Sequence, residues 1–158
     1  MIYLICGERN EGKTTRLKQI FPTVKNAYGF AADKVFAAGV LVAFNLVNLR
    51  SRARISLARP STEPGECVAE SFVSGSFCFS TAAFVWAREI FETAQRAEAD
   101  AFFLDEVGRI ELGARGHSEL VRAALDSDMD IYMTVRNTYI RDVIREFGIK
   151  NYAQIRAR

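Results

Sequence analysis

Apolar residues along this chain recur with two different periods, and the switches between them outline the elements. Ile2 to Cys6 is an unbroken apolar run stopped by Gly7, the pattern of a strand buried on both faces. From Lys13 to Phe21 the period becomes helical, with Leu17, Ile20 and Phe21 on one face and Pro22 as the stop. Residues 28 to 58 carry no helical period. Tyr28 to Phe30, Leu41 to Leu49 and Arg54 to Leu57 suit strands broken by polar positions, which predicts irregular strands or hairpins. Phe72 to Phe79 predicts one further strand.

The helical period returns after Ser80 or Thr81, either of which can cap a helix reaching about Ala97, with Phe84, Ala87, Ile90, Phe91 and Ala94 as its buried stripe. Ala101 to Leu104 is a short apolar strand ending at Asp105. A helix from about Gly116 to Asp126 buries Leu120, Val121, Ala124 and Leu125, and Ile131 to Val135 is another strand. Thr138 is placed to cap a last helix that turns Ile140, Val143, Ile144 and Phe147 inward and stops at Gly148. The alternation of strand and helix in the flanking parts predicts an α/β fold with a mostly parallel sheet flanked by helices. The middle, about residues 31–79, is expected as an antiparallel β-rich insertion within a single domain spanning 1–158.

Composition narrows this only a little. The 158 residues suit one domain with a real core, and 49% hydrophobic with 25% charged residues is a soluble globular profile. A net charge of +2 provides no reason to expect nucleic acid or an acidic membrane as the main partner. Cys6, Cys67 and Cys78 are odd in number and lack CxxC spacing, so neither a disulfide framework nor a zinc site is expected, and a reducing cytoplasm fits best. The N-terminus lacks the pattern of a secretion signal. The apolar stretch Val35 to Leu49, interrupted by Gly39 and Asn45, is shorter than the roughly 20 residues a membrane helix needs. Arg59 to Glu70, with two prolines and a glycine, is expected as an exposed loop.

The first chemical signal follows the first strand. Gly7-Glu8-Arg9-Asn10-Glu11-Gly12-Lys13-Thr14 matches G-x-x-x-x-G-K-[ST], lying between an apolar strand and an amphipathic helix. Glycines let the backbone approach phosphates, and successive N–H groups and the helix N-terminus attract the anion. Lys13 is expected to reach the β- and γ-phosphates, and the Thr14 hydroxyl to bind Mg²⁺. The second signal is Phe102-Phe103-Leu104-Asp105-Glu106, an apolar strand with two carboxylates at its C-terminal end, where open α/β sheets meet their ligands. There Asp105 would hold Mg²⁺ directly or through water, and Glu106 could act as the general base on the attacking water.

With these residues in view, the chain resembles the small stand-alone P-loop nucleoside-triphosphatases known as the cancer-related nucleoside-triphosphatase family. GERNEGKTT (Gly7 to Thr15), Gly29-Phe30 and above all LDEVGRIEL (Leu104 to Leu112) carry the resemblance. It implies a RecA-like fold and slow, Mg²⁺-dependent hydrolysis of ATP, GTP and other triphosphates to diphosphate and phosphate. It places Lys13 at the phosphates, Thr14 and Asp105 at the metal and Glu106 as base, includes Thr15 in the nucleotide-binding loop, and has Gly108 and Glu111 shape the site. The family usually has glycine where this chain has Asn10, the non-glycine residue that best tolerates left-handed backbone.

Arg136, just beyond the strand Ile131 to Val135, is either a γ-phosphate contact or a solvated loop residue. Thr134 could hydrogen-bond the attacking water. Arg50, Arg52 and Arg54 alternate and would share one strand face. With Arg59 they form the wet face of a hairpin, a phosphate or nucleic-acid contact, or a lid over a donor nucleotide. His117 is expected in packing, and Trp86 as either exposed or base-stacking. Hydrolysis therefore competes with two other readings. One is a nucleotide or small-molecule kinase. The other is a nucleotide-binding adaptor in metal-cofactor biosynthesis that needs an activating protein partner, or a second copy of the chain, for turnover.

Overall fold

The computed structural model describes residues 1–61 and 71–158. Its elements are β1 (Ile2–Gly7), α1 (Lys13–Ile20), β2 (Ala27–Ala37), β3 (Val40–Asn48), β4 (Arg54–Pro60), β5 (Ser71–Ser74), β6 (Phe77–Ser80), α2 (Thr81–Arg96), β7 (Ala101–Val107), α3 (Arg109–Leu112), α4 (Ser118–Leu125), β8 (Asp130–Arg136), α5 (Ile140–Glu146) and β9 (Tyr152–Arg156). These strands join one sheet in the order β5-β6-β4-β3-β2-β7-β8-β1-β9. From β2 to β9 the pairing is parallel, and from β2 outward to β5 it is antiparallel.

The two halves share one long strand. Ala27 to Phe30 of β2 pairs with β7, whereas Phe30 to Ala37 pairs with β3. Helix α1 covers one face of the sheet, its Leu17 packing with Ile5, Ala31 and Phe103. Helices α2, α4 and α5 cover the other, where Ala87, Ile90, Phe91, Leu120, Val121 and Val143 meet Leu4, Phe30, Phe102 and Met133. Burial on both faces is why β1, β7 and β8 read as continuous apolar runs rather than alternating ones.

On the α1 face a row of rings fixes the register. Tyr3 stacks on Tyr132 and Tyr132 on Phe103, each pair 4.4 Å apart and nearly coplanar, from residues directly opposite in neighbouring strands. The next position in that row is Gly29, opposite Phe103. Its backbone sits at φ 151°, and a Cβ there would lie 2.3 Å from the Phe103 carbonyl oxygen. Only glycine lets β2 close on β7 at this point.

Several expectations fail for identifiable reasons. Phe72 to Phe79 is not one strand: Gly75 at φ 59° turns it back into the hairpin β5–β6. Arg59 and Pro60 belong to β4, and the remainder of the expected loop, from residue 62 on, lies outside the described residues. Thr138 does not cap α5, because Asn137–Tyr139 forms a 3₁₀ turn that leaves Tyr139 at the cap position. Arg50 and Arg52 do not share a strand face with Arg54. They belong to the turn between β3 and β4, closed by the Arg52 N–H on the Asn48 carbonyl. Cys6 is a free buried thiol, but Cys78 is disulfide-bonded, a pairing that residue count and spacing do not reveal. Among the described residues, no helix is long and apolar enough to cross a membrane.

Replacing Gly29 by alanine is expected to cost about 2–4 kcal/mol, since the new methyl group meets backbone that cannot move without breaking the β2–β7 ladder. Urea denaturation of the variant beside the parent protein measures this directly.

Candidate active site

The loop between β1 and α1 is shaped by two left-handed residues, Asn10 at φ 62° and Gly12 at φ 87°. Asn10 thus tolerates the conformation that glycine usually serves. The Lys13 side chain is buried and donates from Nζ to the Glu8 carbonyl at 2.7 Å. The Glu8 N–H donates to Glu11 Oε2 at 2.6 Å, so a side chain of the loop itself occupies one of its donors. Glu8, Arg9 and Thr15 are exposed.

Across the sheet, Asp105 is only 1% exposed, and all its acceptor sites are used. Oδ2 accepts from the Thr14 hydroxyl at 2.8 Å and the Ala32 N–H at 2.9 Å. Oδ1 accepts from the Thr134 hydroxyl at 2.6 Å and the Glu106 N–H at 3.1 Å. Burial pushes the Asp105 carboxyl above its ordinary value, and these four donors oppose that shift.

Glu106 is bulged out of β7. The ladder passes from Leu104 opposite Met133 to Val107 opposite Val135, so two residues of β7 face one of β8. Glu106 takes φ 64°, a conformation that costs a non-glycine residue about 1–2 kcal/mol. Its N–H donates to Thr134 Oγ1 at 2.8 Å, which holds the bulge. The carboxylate reaches solvent from a crowded surround. Desolvation and then the Asp105 charge raise its pKa, while Lys13, Arg136 and Lys34 lower it. Arg136 lies opposite Gly7 in the β1–β8 ladder, its guanidinium 5.7 Å from the centre of the Tyr139 ring.

Gly108 and Glu111 lie behind this surface. Glu111 is buried, with Oε2 accepting the Gly108 N–H at 2.9 Å and Oε1 the His117 N–H at 3.1 Å. It therefore ties the end of β7 to the start of α4. Burial raises its carboxyl to about 7. His117 is buried beside Phe30 and Phe84, as the packing expectation has it. Burial lowers its pKa to about 3, and its Nδ1 has no hydrogen-bond partner among the described residues.

The structure thus gathers Lys13, Thr14, Asp105, Glu106 and Arg136 at one end of the sheet. Thr134 bonds Asp105 and the Glu106 backbone. Lys34, which sequence reasoning missed, joins them: its Nζ donates to Asn10 Oδ1 and its charge acts on Glu106. Its only signal in the sequence is the polar break Asp33-Lys34 within a β-compatible stretch. The arginine turn lies at the opposite end. Arg50 donates to the carbonyl of Ala27, which pairs with the first residue of β7, so Arg50 and its turn neighbour Arg52 stand away from the loop.

Three comparisons bear on this geometry. A family model described as "NTPase" matches residues 2–155. The nucleoside-triphosphatase THEP1 of Thermotoga sp. (strain RQ2) is 28% identical over 87% of this chain and 75% of its own length. THEP1 of Pyrobaculum aerophilum is 27% identical over 92% and 79%. The crystal structure of THEP1 from Aquifex aeolicus superposes with a TM-score of 0.76 at 23% identity, covering 99% of this chain and 90% of that one. The solution structure of a human cancer-related nucleoside triphosphatase gives 0.69 at 22% identity over 98% and 87%. At such identities, the two solved structures establish likeness of fold.

The buried pair Glu111 and His117 has a pH signature. Between pH 4.5 and 7, Glu111 keeps its proton in the fold but loses it in the unfolded chain, so its contribution to stability falls as pH rises. His117 is neutral in the fold and protonated when unfolded between pH 3 and 6.5, so its contribution rises with pH. The two oppose each other between pH 4.5 and 6.5. Glu111→Gln is expected to leave the histidine slope alone and so steepen the rise in stability over that window, as read from urea denaturation at a series of pH values.

Proposed function

This chain belongs to the NTPase family, and on that premise we propose that it is a nucleoside-triphosphatase, releasing phosphate from ATP, GTP and other nucleoside triphosphates with Mg²⁺ bound. The observation that carries the reading is Glu106, held out of β7 on a left-handed backbone with three cations acting on its carboxylate. The insertion of β8 between β1 and β7 supports a RecA-like P-loop arrangement. Relatives named nucleoside-triphosphatases support the activity class.

Lys13 leaves the Glu8 carbonyl to take the β- and γ-phosphate oxygens. The donor set fits a hard divalent cation: Thr14 and Asp105 offer oxygen ligands at one point. Because four protein donors fill the Asp105 carboxylate, Thr14 is the residue that would contact Mg²⁺ directly, with Asp105 orienting the Thr14 hydroxyl. Bound there, the ion neutralises charge on the β- and γ-oxygens.

Glu106 accepts a proton from water as the water oxygen bonds to the γ-phosphorus and the bond to the β–γ bridging oxygen breaks. Burial and then the Asp105 charge raise its pKa, against the lowering effect of Lys13, Arg136 and Lys34, and a raised pKa makes a carboxylate a stronger base. Lys34 and Arg136 supply from within the chain the charge that a partner's arginine supplies in other NTPases. This favours hydrolysis without an activating partner over the adaptor reading. Against the kinase reading, Arg50 and Arg52 of its expected lid lie in the turn at the far end.

Phosphate release from ATP, GTP, CTP and UTP with Mg²⁺ and no acceptor tests this. The parent protein is expected to release phosphate and Lys13→Ala to lose nucleotide binding. Glu106→Gln should keep binding while losing about 10²–10⁴-fold in rate, the usual worth of a general base. A parent that binds nucleotide but releases phosphate only with an acceptor, or a Glu106→Gln variant as fast as the parent, overturns the proposal. Lys34→Ala is expected to slow turnover about tenfold with an unchanged melting temperature, because its ammonium lies at the surface and its partner Asn10 remains solvated.

A further inference from the structure

The turn between β3 and β4 separates two clefts that triphosphate hydrolysis leaves unused, the first reaching along β2 as far as Asp33. One, of about 440 Å³, is lined by Lys18, Arg50, Arg52 and Arg54, with Asp33 as the one acid among its described lining residues. The other, of about 470 Å³, is lined by Tyr28, Asn48, Ser51, Trp86 and Glu89. Arg50 lines both. Four cations against one acid leave the first cleft with three positive charges in excess, while the second offers aromatic surface, an amide, a hydroxyl and a carboxylate.

The arginines differ in how they are held. Arg54 and Lys18 both pair with Asp33. Arg50 lies 4.4 Å above the Tyr28 ring and donates to the Ala27 carbonyl, so its guanidinium plane is fixed between the clefts. Arg52 is exposed, and among the described residues its guanidinium has neither an ion pair nor a ring contact. Its backbone stands at φ 68°, where glycine or asparagine is the usual occupant. A bulky cation kept at a strained turn position, lining a cleft and without an ion pair or ring contact among the described residues, points to a ligand outside the protein.

From this juxtaposition we infer a second site, for a nucleoside monophosphate. Arg52, Arg54 and Lys18 hold the phosphate group. The nucleoside lies across the Arg50 plane towards Tyr28 and Trp86, with Glu89 accepting from its ribose hydroxyls. The cleft volumes are in the range of small-molecule sites, and guanidinium groups suit both phosphate oxygens and a stacked base.

Isothermal titration of AMP and of inorganic phosphate, into the parent protein and three variants, tests the site. AMP is expected to bind saturably to Lys13→Ala, whose phosphate loop is disabled, and more tightly than inorganic phosphate. Arg52→Gly should weaken AMP at least about tenfold, the effect of losing one charge-assisted contact, without lowering the melting temperature, because glycine relieves the strained backbone. Arg54→Ala should weaken it as well. The site is overturned if AMP fails to saturate, if binding disappears in Lys13→Ala, or if it survives unchanged in Arg52→Gly and Arg54→Ala. Equal affinity for AMP and inorganic phosphate overturns the part assigned to Tyr28 and Trp86.

Discussion

A buried carboxylate organises this molecule. Asp105 loses nearly all its hydration, which on its own would cost several kcal/mol. Four donors from four elements offset that cost: Thr14 of α1, Ala32 of β2, Glu106 of β7 and Thr134 of β8. The same bonds tie helix α1 to the acidic strand across the intervening β8. No one of those elements can shift without leaving a buried acceptor unsatisfied, which costs more than the bond contributes when made.

The constraint explains why Glu106 can hold an unfavourable backbone. Thr134 donates to Asp105 and accepts from Glu106 through a single hydroxyl, so satisfying the buried acid also pins the bulge that turns its neighbour outward. The ring row Tyr3–Tyr132–Phe103 and the close approach at Gly29 then set the position of β2 against β7. Because β2 runs on past Phe30 into the antiparallel part, that register also carries Lys34 to Asn10. The antiparallel strands are thus not an appendage: they extend the strand that brings a cation to the loop between β1 and α1.

The two ends of the sheet carry different electrostatics. Around Glu106, cations and acids are interleaved and the burial of the acids is compensated. At the turn between β3 and β4, positive charge accumulates with Asp33 as its main counterweight. Electrostatically, the chain's small net charge hides this separation, which arises from where strand β2 begins and ends.

Much of the candidate site was legible because it is local. The glycine-lysine loop is eight consecutive residues, and the acid pair closes an apolar strand, so spacing alone placed Lys13, Thr14, Asp105 and Glu106 with their flanking elements. Helical periods likewise located α1, α2 and α4 to within a few residues. Tertiary structure decided the rest. It inserted β8 between β1 and β7, added the edge strand β9, and brought Lys34 to a loop residue 24 positions away. It turned Glu111 inward onto Gly108 and His117, and folded Arg50 and Arg52 into a turn rather than a strand. Periodicity and motif spacing report which face of an element is apolar and which groups are covalent neighbours. Strand order, bulges and contacts between distant residues follow instead from closing many weak interactions at once around a buried charge, and short segments do not encode that sum.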